Sequence, residues 1–360
     1  MSARAGAALA AAMGIGRFVY TPILPLMTAQ AGLSAASAAS LATANYLGYF
    51  VGALATIVRA PSRTTNRAAL VLLVMTLAGM PLTHSMAAWF VLRLLAGIAS
   101  AVVFVAAVNA GPGWGMSGVG VGIAVSGLIV LAHAEWRFAW WGAAIVAALL
   151  AAWAWPLQPA RPGARTRQPR SLRPPITRTT RRAFGALFTS YTLEGVGYII
   201  AGTFLVAAIS GPLGSGAWIL VGISAAASPA LMTALGNNRP ALAAALFLQA
   251  AGIALPVLVG STSAAVVAVV LFGATFLGIA TTSLKIGAEL GFPRAAAVLT
   301  TGYSAGQILG PLLATPLLHN GYDQALLLAS AIVLTALAPL SRLRAATRTP
   351  PRRTPAAHVE

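Results

Sequence analysis

Three ionisable side chains, Arg17, Arg93 and Glu194, fall inside long apolar runs of a chain whose other charges lie between such runs. An ionised group at bilayer depth costs roughly 2.5–3.5 kcal/mol on insertion scales, and where one is retained it usually serves a substrate, ion or proton path. Arg17 cannot shed its proton, so it needs a carboxylate, a cluster of carbonyls or an anionic substrate. Glu194 can load and release a proton, as a proton-coupled carrier requires. A permanent ion pair between the two is the competing structural reading. Arg93 lies about six residues from the end of its run, where snorkelling to the interface competes with a coupling role. Tyr20 follows Arg17 by three residues and shares its helix face. Asn45, Tyr46, Tyr198 and Gln307 are further polar groups at depth. Each is able to bind a ligand, although a helix–helix hydrogen bond is the commoner use.

The composition requires that these residues sit in a membrane. The chain is 58% hydrophobic and 8% charged, whereas soluble domains carry about 25% charged residues. The net charge of +18 would suggest nucleic acid in a soluble protein, but here the basic residues lie in short loops and tails, where they set topology. Cysteine is absent, which removes disulfides, thiolate metal sites and cysteine nucleophiles. No HExxH, paired-carboxylate site or glycine-rich loop followed by Lys-Ser/Thr occurs. The chain therefore reads as no enzyme, with no metal and no cofactor. His84, His133 and His319 are predicted at the outer surface, and His358 in the tail.

A helix crossing ~30 Å of hydrocarbon needs about 20 residues, and the pattern predicts twelve. They are Ala5–Met27, Ser40–Val58, Ala68–Thr83, Ala87–Val108, Ser117–Leu131 and Trp136–Pro156, then Phe184–Ser210, Gly216–Leu235, Pro240–Gly260, Ala264–Leu284, Ala295–Leu317 and Tyr322–Leu340. Trp136, Trp140 and Trp141 at one end of the sixth span, with Trp153 and Trp155 at the other, read as interfacial belts. With the N-terminus inside, twenty basic residues lie on the inner side and only Arg137 outside. That bias places both termini in the cytoplasm of a multi-pass plasma-membrane protein. The proline- and arginine-rich stretch 158–183 is predicted to be a flexible cytoplasmic linker with some contact to anionic lipid. It separates an N-terminal bundle, 1–157, from a C-terminal bundle, 184–341, and a basic tail follows at 342–360.

The two halves look related. Gly14-Ile15-Gly16 matches Gly195-Val196-Gly197, and Gly97-Ile98-Ala99-Ser100 matches Gly278-Ile279-Ala280-Thr281, both at an offset of 181. Gly118 and Gly122 match Gly302 and Gly306 at 184. Three matches at nearly one offset make a repeat. Gly48 and Gly52, Gly118 and Gly122, and Gly302, Gly306 and Gly310 form four-residue stripes that let helix backbones approach closely. Pro22 with Pro25, and Pro311 with Pro316, should kink the first and eleventh spans.

Two six-span repeats joined by a basic loop resemble the major facilitator superfamily. The words GIGRFVYTPILPLM (Gly14 to Met27), ANYLGYFVGAL (Ala44 to Leu54) and GYSAGQILGPLLATPL (Gly302 to Leu317) are similar to its YbfB/YjiJ group. RLLAG (Arg93 to Gly97) resembles the superfamily's arginine motif in the fourth span. RAPSRTTNR (Arg59 to Arg67) keeps the arginines of the turn after the second span but lacks its aspartate, which puts in question the charge relay credited to that turn. The resemblance implies an all-α membrane fold of two pseudo-symmetric six-helix bundles, with alternating access around a site between the halves lined partly by the first and seventh spans. Counting ~1.5 Å per residue places Arg17 and Glu194 at similar depth near the midplane.

The function expected is a secondary transporter that moves a small organic solute by alternating access, coupled to protons. Its partners would be that solute, protons and membrane lipids, with no nucleic acid, and the protein would be a monomer. A non-transporting sensor or scaffold on a carrier fold is one alternative, and a membrane-embedded lipid-modifying enzyme another.

Overall fold

In the computed structural model the residues described are 3–110, 114–159, 176–207, 213–236, 238–320 and 322–345. Most of the linker expected at 158–183, most of the tail at 342–360, and His358 lie outside them. The described residues contain helix and no strand. The helices are α1 (Ala3–Ala31), α2 (Ala35–Val58), α3 (Arg63–Gly79), α4 (Met86–Asn109), α5 (Ser117–Ala132) and α6 (Trp136–Ala154). After the linker come α7 (Arg178–Ala207), α8 (Leu213–Ala234), α9 (Arg239–Val259), α10 (Thr262–Glu289), α11 (Ala295–Ala314) and α12 (Asp323–Thr335). They follow the expected segments in order. Among the described residues, nine helices are long and apolar enough to cross a membrane, and α5 is a shorter apolar one.

Local chemistry sets several helix ends. Ser34, Ser62, Ser85, Asn238 and Ser261 each accept a hydrogen bond at an N-terminus from the backbone N–H three residues on, satisfying a donor the helix leaves open. Gly32 and Gly260 close α1 and α9 in left-handed geometry.

The first helix is interrupted. After Ala3–Leu9 the chain winds as a π-helix over Ala10–Ile15, and α-helix resumes at Tyr20–Ala31. Gly16 N–H reaches back five residues to the Ala11 carbonyl (2.8 Å), while Thr21 N–H bonds the Phe18 carbonyl (3.2 Å). Pro22 can supply no N–H for Phe18. The carbonyls of Gly16 and Arg17 are left without backbone partners, so the break falls at Arg17, upstream of the prolines expected to kink this helix.

Packing repeats across the halves. α2 packs on α4, α3 on α4, α1 on α5 and α3 on α6, and in the second half α8 packs on α10, α9 on α10, α7 on α11 and α9 on α12. The halves meet along α5–α8 and α2–α11, two contacts that the same six-helix offset interchanges. Repeat-related glycines lie at helix crossings within each half. Gly14 faces Gly122 and Gly195 faces Gly306, while Gly97 lies on Asn45 and Gly278 on Ser228 and Met232. In the same way Gly48 and Gly52 abut Leu94 and Ile98, Gly118 abuts Gly6, Gly302 abuts Phe188, and Gly310 abuts Ile199.

Gly14 offers a test of this packing. A Cβ there would stand 2.7 Å from the Val119 carbonyl oxygen and against the Gly122 backbone. Gly14→Val should therefore lower the unfolding temperature of purified protein, overpacking being worth about 1–3 kcal/mol. Gly185→Ala, inside α7 where nothing lies within 4 Å, should not lower the melt and should raise it slightly, the gain being up to about 1 kcal/mol.

One expected feature needs correction. Trp136 and Trp140 are buried, whereas Trp141, Trp153 and Trp155 are exposed. Trp136 packs edge-on against Trp89 (5.8 Å between centroids), and Trp140 Nε1 donates to Met27 Sδ at 3.4 Å. These two rings join helices, and the belt is made by the other three. Arginines tie helix ends in matching positions: Arg67 Nε donates to the Trp155 carbonyl (3.1 Å) and Arg239 Nε to the Leu340 carbonyl (2.5 Å). Arg294 joins the halves through the Ile57 carbonyl.

Candidate functional site

Arg17, at the break in α1, is 3% exposed and donates through Nη2 to Gln307 Oε1 on α11. This bond links the halves near their centre. The guanidinium lies 4.1 Å from the Tyr49 ring centroid, 5.5 Å from Tyr46 and 5.7 Å from Phe18. The ring faces supply negative potential but no countercharge. Arg17 Nε and Nη1 have no hydrogen-bond partner. The one ion pair among the described residues is Lys285–Glu289 at 3.8 Å, so Arg17 and Glu194 do not hold each other.

Arg93 does not snorkel. It is 2% exposed, and its Nη1 and Nη2 donate to the Gly16 and Arg17 carbonyls, each at 3.3 Å. Those are the acceptors freed by the break, so Arg93 clasps the backbone that carries Arg17, with the Tyr20 ring 4.7 Å away. Ser100 adds a bond to the Ala12 carbonyl at 2.8 Å. Asn45 Nδ2 donates to the Arg93 carbonyl (3.1 Å) and Tyr20 Oη to the Ala38 carbonyl (3.0 Å). Both make helix–helix bonds. Arg93→Met would orphan two buried carbonyls, at about 1–3 kcal/mol each. It should lower the unfolding temperature, read by a thermal melt.

Glu194 is fully buried in α7 and neither carboxylate oxygen has a hydrogen-bond partner. Gln249 of α9 and Tyr303 of α11 lie beside it, and the Gln249 amide is also unpartnered. Tyr191 stacks on Tyr303 at 4.5 Å, and Tyr198 approaches Tyr303 at 5.7 Å. Glu194 is thus enclosed in the second half, with tyrosines between it and the Arg17 region.

Two small cavities of about 30 Å³ lie on either side of the Arg17–Gln307 bridge. The first, towards the α1–α2 connection, is lined by Arg17, Arg93, Tyr20, Tyr46, Thr203 and Trp218. The second, towards the chain's N-terminus, is lined by Met13, Tyr49, Phe104, Tyr191, Tyr303 and Gln307. Phe18 and Tyr198 face both. Space of this size holds water but no organic ring, since benzene occupies a cavity of about 150 Å³.

The family model described as uncharacterised MFS-type transporter YbfB matches residues 9–340. The chain belongs to this family of major facilitator transporters. Among solved structures it is similar to the crystal structure of the human organic anion transporter MFSD10 (TETRAN), with a TM-score of 0.65 and 16% identity. The match covers 94% of this chain and 99% of that one, a likeness of fold. No curated protein matches the sequence.

In this transporter Arg17, Gln307, Tyr46, Tyr198, Tyr20 and Arg93 converge around the first cavity or its bridge, with Asn45 behind Arg93. Glu194 stands apart. Sequence reasoning missed Tyr49, Trp218, Thr203 and Gln249. Tyr49 follows Tyr46 by three residues and so shares its helix face. Gln249 lies at depth in an apolar run just as Gln307 does, and the same criterion applied evenly finds it.

Proposed function

We propose that this transporter moves a small organic anion by alternating access and couples the movement to protons. The observation that carries this reading is a pair of buried guanidinium groups, Arg17 and Arg93, with no carboxylate paired to either, at the centre where the halves meet. Two positive charges held away from water favour an anion strongly. Arg17 has N–H groups still to satisfy. The similarly folded MFSD10 is an organic anion transporter, in agreement with the same chemistry.

The packing supports alternating access. The halves, 1–157 and 184–341, would rock about α5–α8 and α2–α11, and breaking Arg17–Gln307 would open either cavity to its own side. Glu194 would carry the proton, since an enclosed carboxyl without a countercharge is favoured when neutral. Both termini would face the cytoplasm of the plasma membrane, with the protein acting as a monomer. The test uses proteoliposomes and a mixture of isotopically labelled organic acids. An imposed pH gradient should drive accumulation of at least one acid, and a protonophore should collapse it. Accumulation insensitive to the protonophore would remove proton coupling from this reading.

A further inference from the structure

We infer that the anion is an aromatic monocarboxylate, whose carboxylate takes Arg17 from Gln307 and whose ring lies among Phe18, Tyr49, Tyr198 and Phe276. This rests on the transporter reading and names its substrate class.

The charge argues for one carboxylate. Arg93 has both terminal nitrogens on the Gly16 and Arg17 carbonyls and only Nε without a partner, so it contributes field and not a free fork. Arg17 alone has Nε and Nη1 open, with only Nη2 engaged by a neutral amide oxygen. The Gln307 oxygen stands where an anionic oxygen would stand. Exchanging it for a carboxylate replaces a singly charged hydrogen bond with one charged on both sides and adds bidentate geometry.

The walls argue for a ring. Tyr49 lies under the guanidinium. Phe18 meets Phe276 edge-on at 6.4 Å and Trp218 at 6.3 Å. Tyr198 stacks on Phe276 at 5.1 Å. A planar ring entering this set gains face and edge contacts beyond its buried area, which a saturated body of equal size does not.

As it stands the site has no room for it. With about 30 Å³ on each side, a ring enters only when Phe18 and Tyr198 move apart with their halves. Binding and loss of the Arg17–Gln307 bridge are then one event, so the ligand favours the opened form.

The test is calorimetric titration of the purified full-length protein in lipid nanodiscs with benzoate, cinnamate, cyclohexanecarboxylate, acetate and benzamide. Benzoate or cinnamate should bind at least about tenfold more tightly than cyclohexanecarboxylate, acetate or benzamide. Tyr49→Leu should weaken the aromatic acids several-fold, and Arg17→Lys, which keeps the charge, should weaken them through loss of the fork. The wild-type series needs no variant to fold. Equal binding of benzamide or cyclohexanecarboxylate, no binding of either aromatic acid, or unchanged affinity in Arg17→Lys would overturn the inference. Arg17-dependent binding of the aromatic acids without pH-driven flux would retire proton coupling and leave the ligand class standing. Driven flux of a purely aliphatic acid with no aromatic binding would do the reverse.

Discussion

Glu194→Gln should abolish net, pH-driven accumulation while leaving substrate exchange at or near the wild-type rate. Glutamine keeps the size and hydrogen-bonding capacity of a protonated glutamic acid but cannot release a proton. A carrier locked in the loaded state still shuttles with its substrate bound, and it stalls only when it must return empty. The expected effect is large because Glu194 is the one carboxylate among the described residues that lies buried in the helices; Glu135, Glu289 and Asp323 are at helix ends. Counterflow of labelled substrate, measured beside net uptake in the same vesicles, separates the two. Equal loss of both would make Glu194 structural or part of the substrate site. Retention of both would place the proton elsewhere.

Arg17→Met should abolish anion binding and leave the protein as stable as before or more so. Loss of a hydrogen bond to a charged group is worth about 1.5–3 kcal/mol, on the order of a 10- to 150-fold weakening, and loss of the central charge adds to it. The stability expectation has the opposite sign. Arg17 buries two unsatisfied nitrogens without a countercharge, and relieving such burial, often neutral or stabilising by about 1–4 kcal/mol, offsets the single Gln307 acceptor left without its donor. Arg93→Met should do the reverse, because it leaves the Gly16 and Arg17 carbonyls without donors. Thermal melts of the two variants side by side distinguish a residue kept for function from one kept for the backbone. A large fall in the unfolding temperature of Arg17→Met would make Arg17 a structural clamp between the halves.

The architecture was largely legible in the sequence. Apolar runs separated by charges mark helices with little ambiguity, and the glycine matches between the halves fall on equivalent crossings because close backbone approach tolerates no Cβ. Arg17 and Glu194 were legible for a related reason, since the cost of a buried charge depends mainly on depth. Partners were not. Arg17 meets a glutamine 290 residues away, and no local pattern predicts which of several polar groups at one depth it will face. Arg93 looked free to snorkel because depth counting ignores demand. The break at Gly16 and Arg17 creates two carbonyls that need a donor, and that break arises from a π-helical turn packed on α5 upstream of the visible prolines. Trp136 and Trp140 misled for the opposite reason: tryptophan at a span end suits an interface, but here the rings fill space between helices.

Whether Arg17 holds an organic anion during transport is decided by mass-spectrometric profiling of proteoliposomes exposed to a mixture of organic acids under an imposed pH gradient, with wild type and Arg17→Met in parallel. Wild type should accumulate at least one organic anion, and the variant, folded and inserted to the same extent, none of it. Equal accumulation by the two proteins, or accumulation of cationic or neutral solutes alone, would contradict it.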